Sequence, residues 1–128
     1  MEKMGATTNA LNWFEIPMLD VNRTKAFYET IFDIEMYPME MMGMDMLMFP
    51  TQGPKSGGAL VKSPYHTPSK TGSIIYLNAN PDLQIVLDKI EAAGGKVTMP
   101  KSLINPETGY MAFFEDTEGN VVALHSGN

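Results

Sequence analysis

Ten residues, Met39 to Met48 (MEMMGMDMLM), hold six methionines, and the window opening at Met36 holds seven of the chain's twelve. Thioethers do two kinds of work. They select soft ions such as Cu(I), or they fill irregular apolar surfaces with unbranched, polarizable side chains. Copper-handling clusters usually come with histidines, and this stretch has none, so apolar filling is the simpler reading. Groups that could move protons are few. Glu15 and His125 could form a general acid/base pair, or simply a solvated polar pair. His66, the only other histidine, lies in the proline-flanked run PYHTP and reads as exposed. A Glu15/His125/His66 metal set is a minor alternative. Ser73 could hydrogen-bond a ligand, but no G-x-S-x-G elbow surrounds it, so it is not read as a nucleophile. Tyr76 and Tyr110 offer hydroxyls, or pack as strand tyrosines with a wet tip. Cysteine is absent, which excludes disulfides and thiolate metal sites. That absence suits a cytoplasmic protein.

These side chains need a scaffold, and 128 residues make one domain with a real core. The formal net charge is -6, and the nine basic residues are scattered. Nucleic acid and anionic membrane surfaces are therefore poor partners. The opening MEKMGATTNA lacks the apolar core of a secretory leader, and no apolar run is long enough to span a bilayer.

Along the chain, residues 1 to 8 read as a frayed end. Asn12 to Met18 alternates as a half-buried strand, with Phe14 and Ile16 on one face and Trp13 and Glu15 on the other. A helix follows, capped by Asp20 or Asn22 and stopping near Asp33. It carries Ala26, Phe27, Ile31 and Phe32 inward and Tyr28 on its flank. Ile34 to Met41 and the segment from Met44 form a hairpin turning at Gly43. In it Met44, Met46 and Met48 share one face, with Asp45, Leu47 and Phe49 on the other. Thr51 to Gly57 is loop, Gly58 to Lys62 a strand, and Ser63 to Lys70 a linker. The plan then repeats: strand Gly72 to Ala79, then helix Pro81 to Ala93 with Asn80 as cap and Leu83, Val86, Leu87 and Ile90 inward. Strands Lys96 to Leu103, Gly109 to Glu115 and Val121 to Ser126 follow, the last two joined by the turn Asp116 to Asn120.

The run NWFEIPMLDVNRTKAFYETIFDIEM and the closing GYMAFFEDTEGNVVALHS resemble the two ends of the vicinal oxygen chelate superfamily, the glyoxalase/bleomycin-resistance/dioxygenase group. The resemblance covers residues 10 to 126. It implies an α+β fold in which two βαβββ modules, about 9–63 and 71–126, form a curved mixed-sheet cup with helices on its outer side. It also implies a divalent metal held in the cup by His and Glu ligands, acting as a Lewis acid, and a homodimer, with some members completing their cups across two chains.

Carried over position by position, the ligands fall on Trp13, near Leu60, on Ser73 and on Ala123. Indole and alkyl groups do not coordinate such a cation, and neutral serine is a weak donor. The resemblance thus implies a family member without the usual metal centre and with no other cofactor. Glu15 and His125 lie two residues beyond former ligand positions, and the cup geometry points both inward. Trp13 offers a stacking wall or a plug. The expected protein binds a small, partly apolar molecule in a cup walled by Trp13, Met44, Met46, Met48, Ser73, Tyr76 and Tyr110. The alternative is a lyase or isomerase similar to lactoylglutathione lyase, using an atypical metal or acid/base site. A filled cup acting through its surface is a third reading, which nothing in the sequence favours.

Overall fold

The computed structural model describes residues 2–128; the frayed-end reading at Met1 lies outside the described residues. The elements run β1 (Trp13–Pro17), α1 (Val21–Phe32), β2 (Tyr37–Met41), β3 (Met44–Met48), β4 (Gly57–Lys62), β5 (Tyr76–Asn78), α2 (Leu83–Ile90), β6 (Lys96–Asn105), β7 (Gly109–Glu115) and β8 (Val121–Ser126). They build two four-stranded mixed sheets, ordered β1-β4-β3-β2 and β5-β8-β7-β6, neither of them closed into a barrel. In each, the first strand pairs parallel with the last and the other pairings are antiparallel. The βαβββ plan holds twice.

Helix α1 starts where Asp20, in extended backbone, accepts a hydrogen bond from Arg23 N. It ends at Asp33, whose left-handed backbone returns its N–H to Glu29 O. The inward set differs from the sequence reading in three places, the first being Thr24, buried with its hydroxyl donating to the Asp20 carbonyl at 2.6 Å. Ala26 faces solvent, and Tyr28 is fully buried. Burial is possible because the Tyr28 hydroxyl donates to Asp116 Oδ2 at 2.8 Å, which satisfies its polar tip. Around it Phe27 packs edge-on at 5.1 Å, and Phe49 and Phe114 lie at 6.0 and 6.5 Å. These rings come from both halves of the chain. One continuous core therefore joins the modules, and α1 touches α2 across it.

The stripe Leu83, Val86, Leu87 and Ile90 on α2 is buried as read. Its start is later than the sequence suggested. Asp82, not Asn80, accepts from Gln84 N as the cap. Asn80 Oδ1 is taken by Gly127 N, which ties the end of the chain down. Strand β5 keeps only three residues of the eight from Gly72 to Ala79: Gly72 turns with φ +96°, and of residues 73–75 only Ile75 reaches β8, its carbonyl accepting from Ala123 N at 3.0 Å. Strand β2 likewise starts at Tyr37. The preceding Ile34 and Met36 spend their N–H groups on Glu29, through its carbonyl and its side chain respectively. Gly58 admits the Phe14 ring against β4; a Cβ there would lie 2.6 Å from both ring Cδ atoms. Among the described residues, no helix is long and apolar enough to cross a membrane.

Candidate functional site

Strand register decides which side chains meet. On β1, Phe14 and Ile16 point toward the helices and pack on the core, so Trp13 and Glu15 occupy the opposite face. Beside Glu15 on β4 lies Ala59, followed across β3 and β2 by Met48 and Tyr37. The next rows set Val61 beside Met46 and Met39, and Met44 beside Met41. The helix-free face of the first sheet is therefore a wall of thioethers framed by Trp13 and Tyr37. Met46 is nearly buried among Ala59, Val61, Met44 and Met48. Trp13, Met39 and Met41 remain 41–46% exposed. Trp13, Met44, Met46 and Met48 thus share one face, as their alternation requires.

The second sheet presents a matching face. Tyr76, Ala123 and Phe113 fall in one row, and Asn78, His125 and Met111 in the next. Tyr76 meets Phe113 edge-on at 6.1 Å, and its hydroxyl sits 4.0 Å from the Met111 sulfur. Tyr110 is not on this face. It alternates with Met111, packs toward the helices and carries Lys101 Nζ 4.5 Å above its ring. Ser73 precedes β5 and lines a cavity of about 220 Å³ that also touches Glu15, Thr67 and Asn120. Leu60 too points into the core, and Ala59 takes the cup-side position on β4.

Glu15 and His125 do not pair. His125 Nε2 donates to the Thr108 carbonyl at 2.7 Å, at the far end of β8. Glu15 is instead met by His66, Nε2 to Oε1 at 2.8 Å. The other ring nitrogen, Nδ1, lies 2.6 Å from Ser63 Oγ, which also accepts from Tyr65 N. The second carboxylate oxygen of Glu15 accepts from Trp13 Nε1 at 3.3 Å. A chain Ser63–His66–Glu15–Trp13 thus runs across the edge of the first sheet, on β1. His66, read as exposed, is largely covered, with 16% of its side chain accessible. The linker's prolines carry no periodicity from which its fold-back onto β1 could be read.

The divalent ion that the resemblance implies does not fit this constellation. The positions carried over from the resemblance hold indole, alkyl and hydroxyl groups, and the first of them, Trp13, donates an N–H to Glu15. Among the described residues no three His, Asp or Glu side chains come together as a cation would need.

A second polar cluster joins the modules. Glu118, buried in the β7–β8 turn, accepts from Leu19 N and Asp20 N at 2.8 and 2.9 Å and from Arg23 Nε and Nη2 at 2.8 and 2.9 Å. Burial by itself would raise its pKa. The hydrogen bonds from Arg23, Asp20, Leu19 and Thr117 outweigh that and bring it from 4.5 down to about 2. Next to it Asp116 accepts from Tyr28, Glu118 N and Asn120 N, while Asn120 Nδ2 reaches the Pro17 carbonyl. This cluster holds the end of β1 against the start of β8.

Doubled βαβββ modules with the ends of β1 and β8 side by side define a class. The model of the Glyoxalase/Bleomycin resistance protein/Dioxygenase superfamily matches residues 10–124, and the chain belongs to that superfamily. A glyoxylase-like domain-containing protein of Didymella fabae is 27% identical over 124 residues, covering 89% of this chain and 91% of that one. Among solved structures the chain is similar to a mutant of the Listeria monocytogenes fosfomycin resistance protein, FosX, complexed with Mn(II) and a dihydroxypropylphosphonic acid. The TM-score is 0.65 and the identity 20%, over 95% of each chain. It is also similar to TnmS3, an antibiotic binding protein from Streptomyces sp. CB03234, with TM-score 0.62 and 18% identity over 97% of this chain and 100% of that one. At these identities the structural likenesses speak for the fold.

Proposed function

We propose that this chain is a metal-free, small-molecule-binding member of the superfamily, and that its ligand is small and partly apolar. The observation that carries the reading is the helix-free face of the first sheet. The position that the resemblance carries over for the family's first ligand is an indole there, and the wall beyond it is methionine. Such a wall contributes dispersion and adapts its shape, which suits varied apolar ligands. The antibiotic-binding relative, TnmS3, lends the reading support by analogy only. The two open faces suit a homodimer in which a cup is completed between chains. The cytoplasm is the proposed compartment, which suits a chain built without disulfides.

Elemental mass spectrometry tests the metal-free reading. After dialysis against Zn, Ni, Mn and Fe(II), the protein should carry less than about a tenth of an equivalent of each. Near one equivalent, lost in Glu15→Ala, would overturn it.

One observation favours a second reading, a lyase or isomerase. In the Ser63–His66–Glu15 chain a carboxylate and an imidazole share one hydrogen bond, an arrangement fit for passing a proton between them. Glu15 would remove a proton next to a substrate carbonyl and His66 would return one. Under this reading hemithioacetal isomerisation should be measurable and should fall at least about a hundredfold in Glu15→Gln. Equal rates in both proteins would exclude it.

A further inference from the structure

One cavity among the described residues lies away from the methionine face. It holds about 500 Å³ and opens between β1 and β5, on the helix side of β1, where Phe14 points rather than Trp13. Phe14, Phe32, Ile34, Phe49 and Ile75 line its interior. Phe14 lies on Gly58 and tilts against Phe49 at 5.5 Å, and Phe49 in turn abuts the buried Tyr28. The aromatic wall is thus fixed before any ligand arrives, which lowers the ordering cost of binding. At the mouth, Leu11, Ile74 and Tyr76 are 44–49% exposed, an unusual gathering of large apolar side chains at a surface.

No charged residue lines this cavity. Besides the hydroxyl of Tyr76 at the mouth, its polar side chains are Thr51, Ser56 and Asn78. Ser56 Oγ is spent on the Leu11 carbonyl at 2.6 Å. Asn78, whose side chain lies on the open face of β5, borders the cleft at its rim; its Oδ1 accepts from Asn80 N, which leaves its amide nitrogen to donate there. The volume and the mix of many apolar walls with a few polar groups are those of small-molecule sites. We propose that this cleft is a second ligand site, separate from the methionine face, for a neutral, flat aromatic molecule bearing one carbonyl or hydroxyl acceptor. An ionised ligand would leave its charge unpaired against apolar walls, so the cleft selects against acids and amines. Strand β1 then serves two sites by alternation, with Phe14 in the cleft and Trp13 and Glu15 on the opposite face.

Nile red is a suitable probe, being neutral, planar, carbonyl-bearing and brighter in apolar surroundings. Titrated into the full chain, it should bind saturably at about one per chain. Thr51→Trp, which places an indole at an exposed position on the rim, and Ile74→Glu, which sets a charge at the mouth, should each weaken binding about tenfold or more. Ile85→Glu, on the exposed side of α2 and away from both faces, should leave it unchanged. All three positions are exposed, and far-UV circular dichroism checks that each variant folds. Non-saturable binding, or saturable binding that Thr51→Trp and Ile74→Glu leave unchanged, overturns the proposal. Either result leaves the metal-free reading to its own test.

Discussion

Glu118 is the residue on which the joint between the modules turns, yet in the sequence it is one acidic letter in the turn DTEGN. Four N–H groups from the first module converge on its carboxylate, two of them from the backbone at the start of α1. Its folded pKa of about 2 lies below the 4.5 of an ordinary glutamate. The stability it contributes is therefore fully present above pH 4.5 and drains away as pH falls toward 2. Arg23 is about half exposed, so solvent screens part of the interaction, and the contribution is about 1–2 kcal/mol. Glu118→Gln should lower the denaturation midpoint at pH 7 and flatten the acid side of the stability curve. Urea unfolding at pH 7 and pH 3 measures both. An unchanged acid limb would assign the acid sensitivity to other carboxylates. His66 shows the same limit of legibility. Its partner Glu15 lies 51 residues away, and no local pattern encodes that contact.

Among the elements, period-two alternation settles the strand faces. The division of Phe14 from Trp13, and of Leu47 from Met46, follows from the side-chain period alone. The stripe of α2 is equally plain. Element ends are less so, because side chains that cap or tie them compete. Asp82 takes the cap while Asn80 is drawn to Gly127. Tyr28 reads as a flank residue because a hydroxyl reads as wet, and only the distant Asp116 makes its burial tolerable. The β2–β3 hairpin carries a testable flaw. Its two-residue turn needs positive φ at both positions, and it places Met42 at φ +52° before Gly43 at φ +77°. Met42 is 90% exposed and gains nothing in return. Met42→Asn should stabilise the protein by about 0.5–1 kcal/mol in chemical denaturation. A loss instead would show that the Met42 side chain is covered by something beyond this chain.

At the scale of the whole molecule, the helices and the shared core occupy one side of each sheet and leave the other side open. The open faces carry Trp13, Tyr37, Met39 and Met41 on one sheet and Tyr76 on the other, each 41–51% exposed. Apolar surface gathered this way calls for a cover, and a second copy supplies it with no new surface needed. The chain should sediment at twice its 14.1 kDa mass, and Tyr37→Glu should return it to the mass of one chain. Sedimentation of the unaltered protein as a single chain at micromolar concentration would remove the dimer and leave both faces for ligand alone.

The cluster around Glu118 and Asp116 has one more consequence. The modules are held together by the peptide running through residues 63–71, by the shared apolar core, and by buried polar groups contributed from both sides. A polymer cut at its connecting segment normally gives two bodies. Here a break between Lys70 and Gly72 leaves every bond of that cluster intact, so the backbone link is a tether and the lock is noncovalent. Two polypeptides, each encoding one half, carry complementary faces of the same keyed joint.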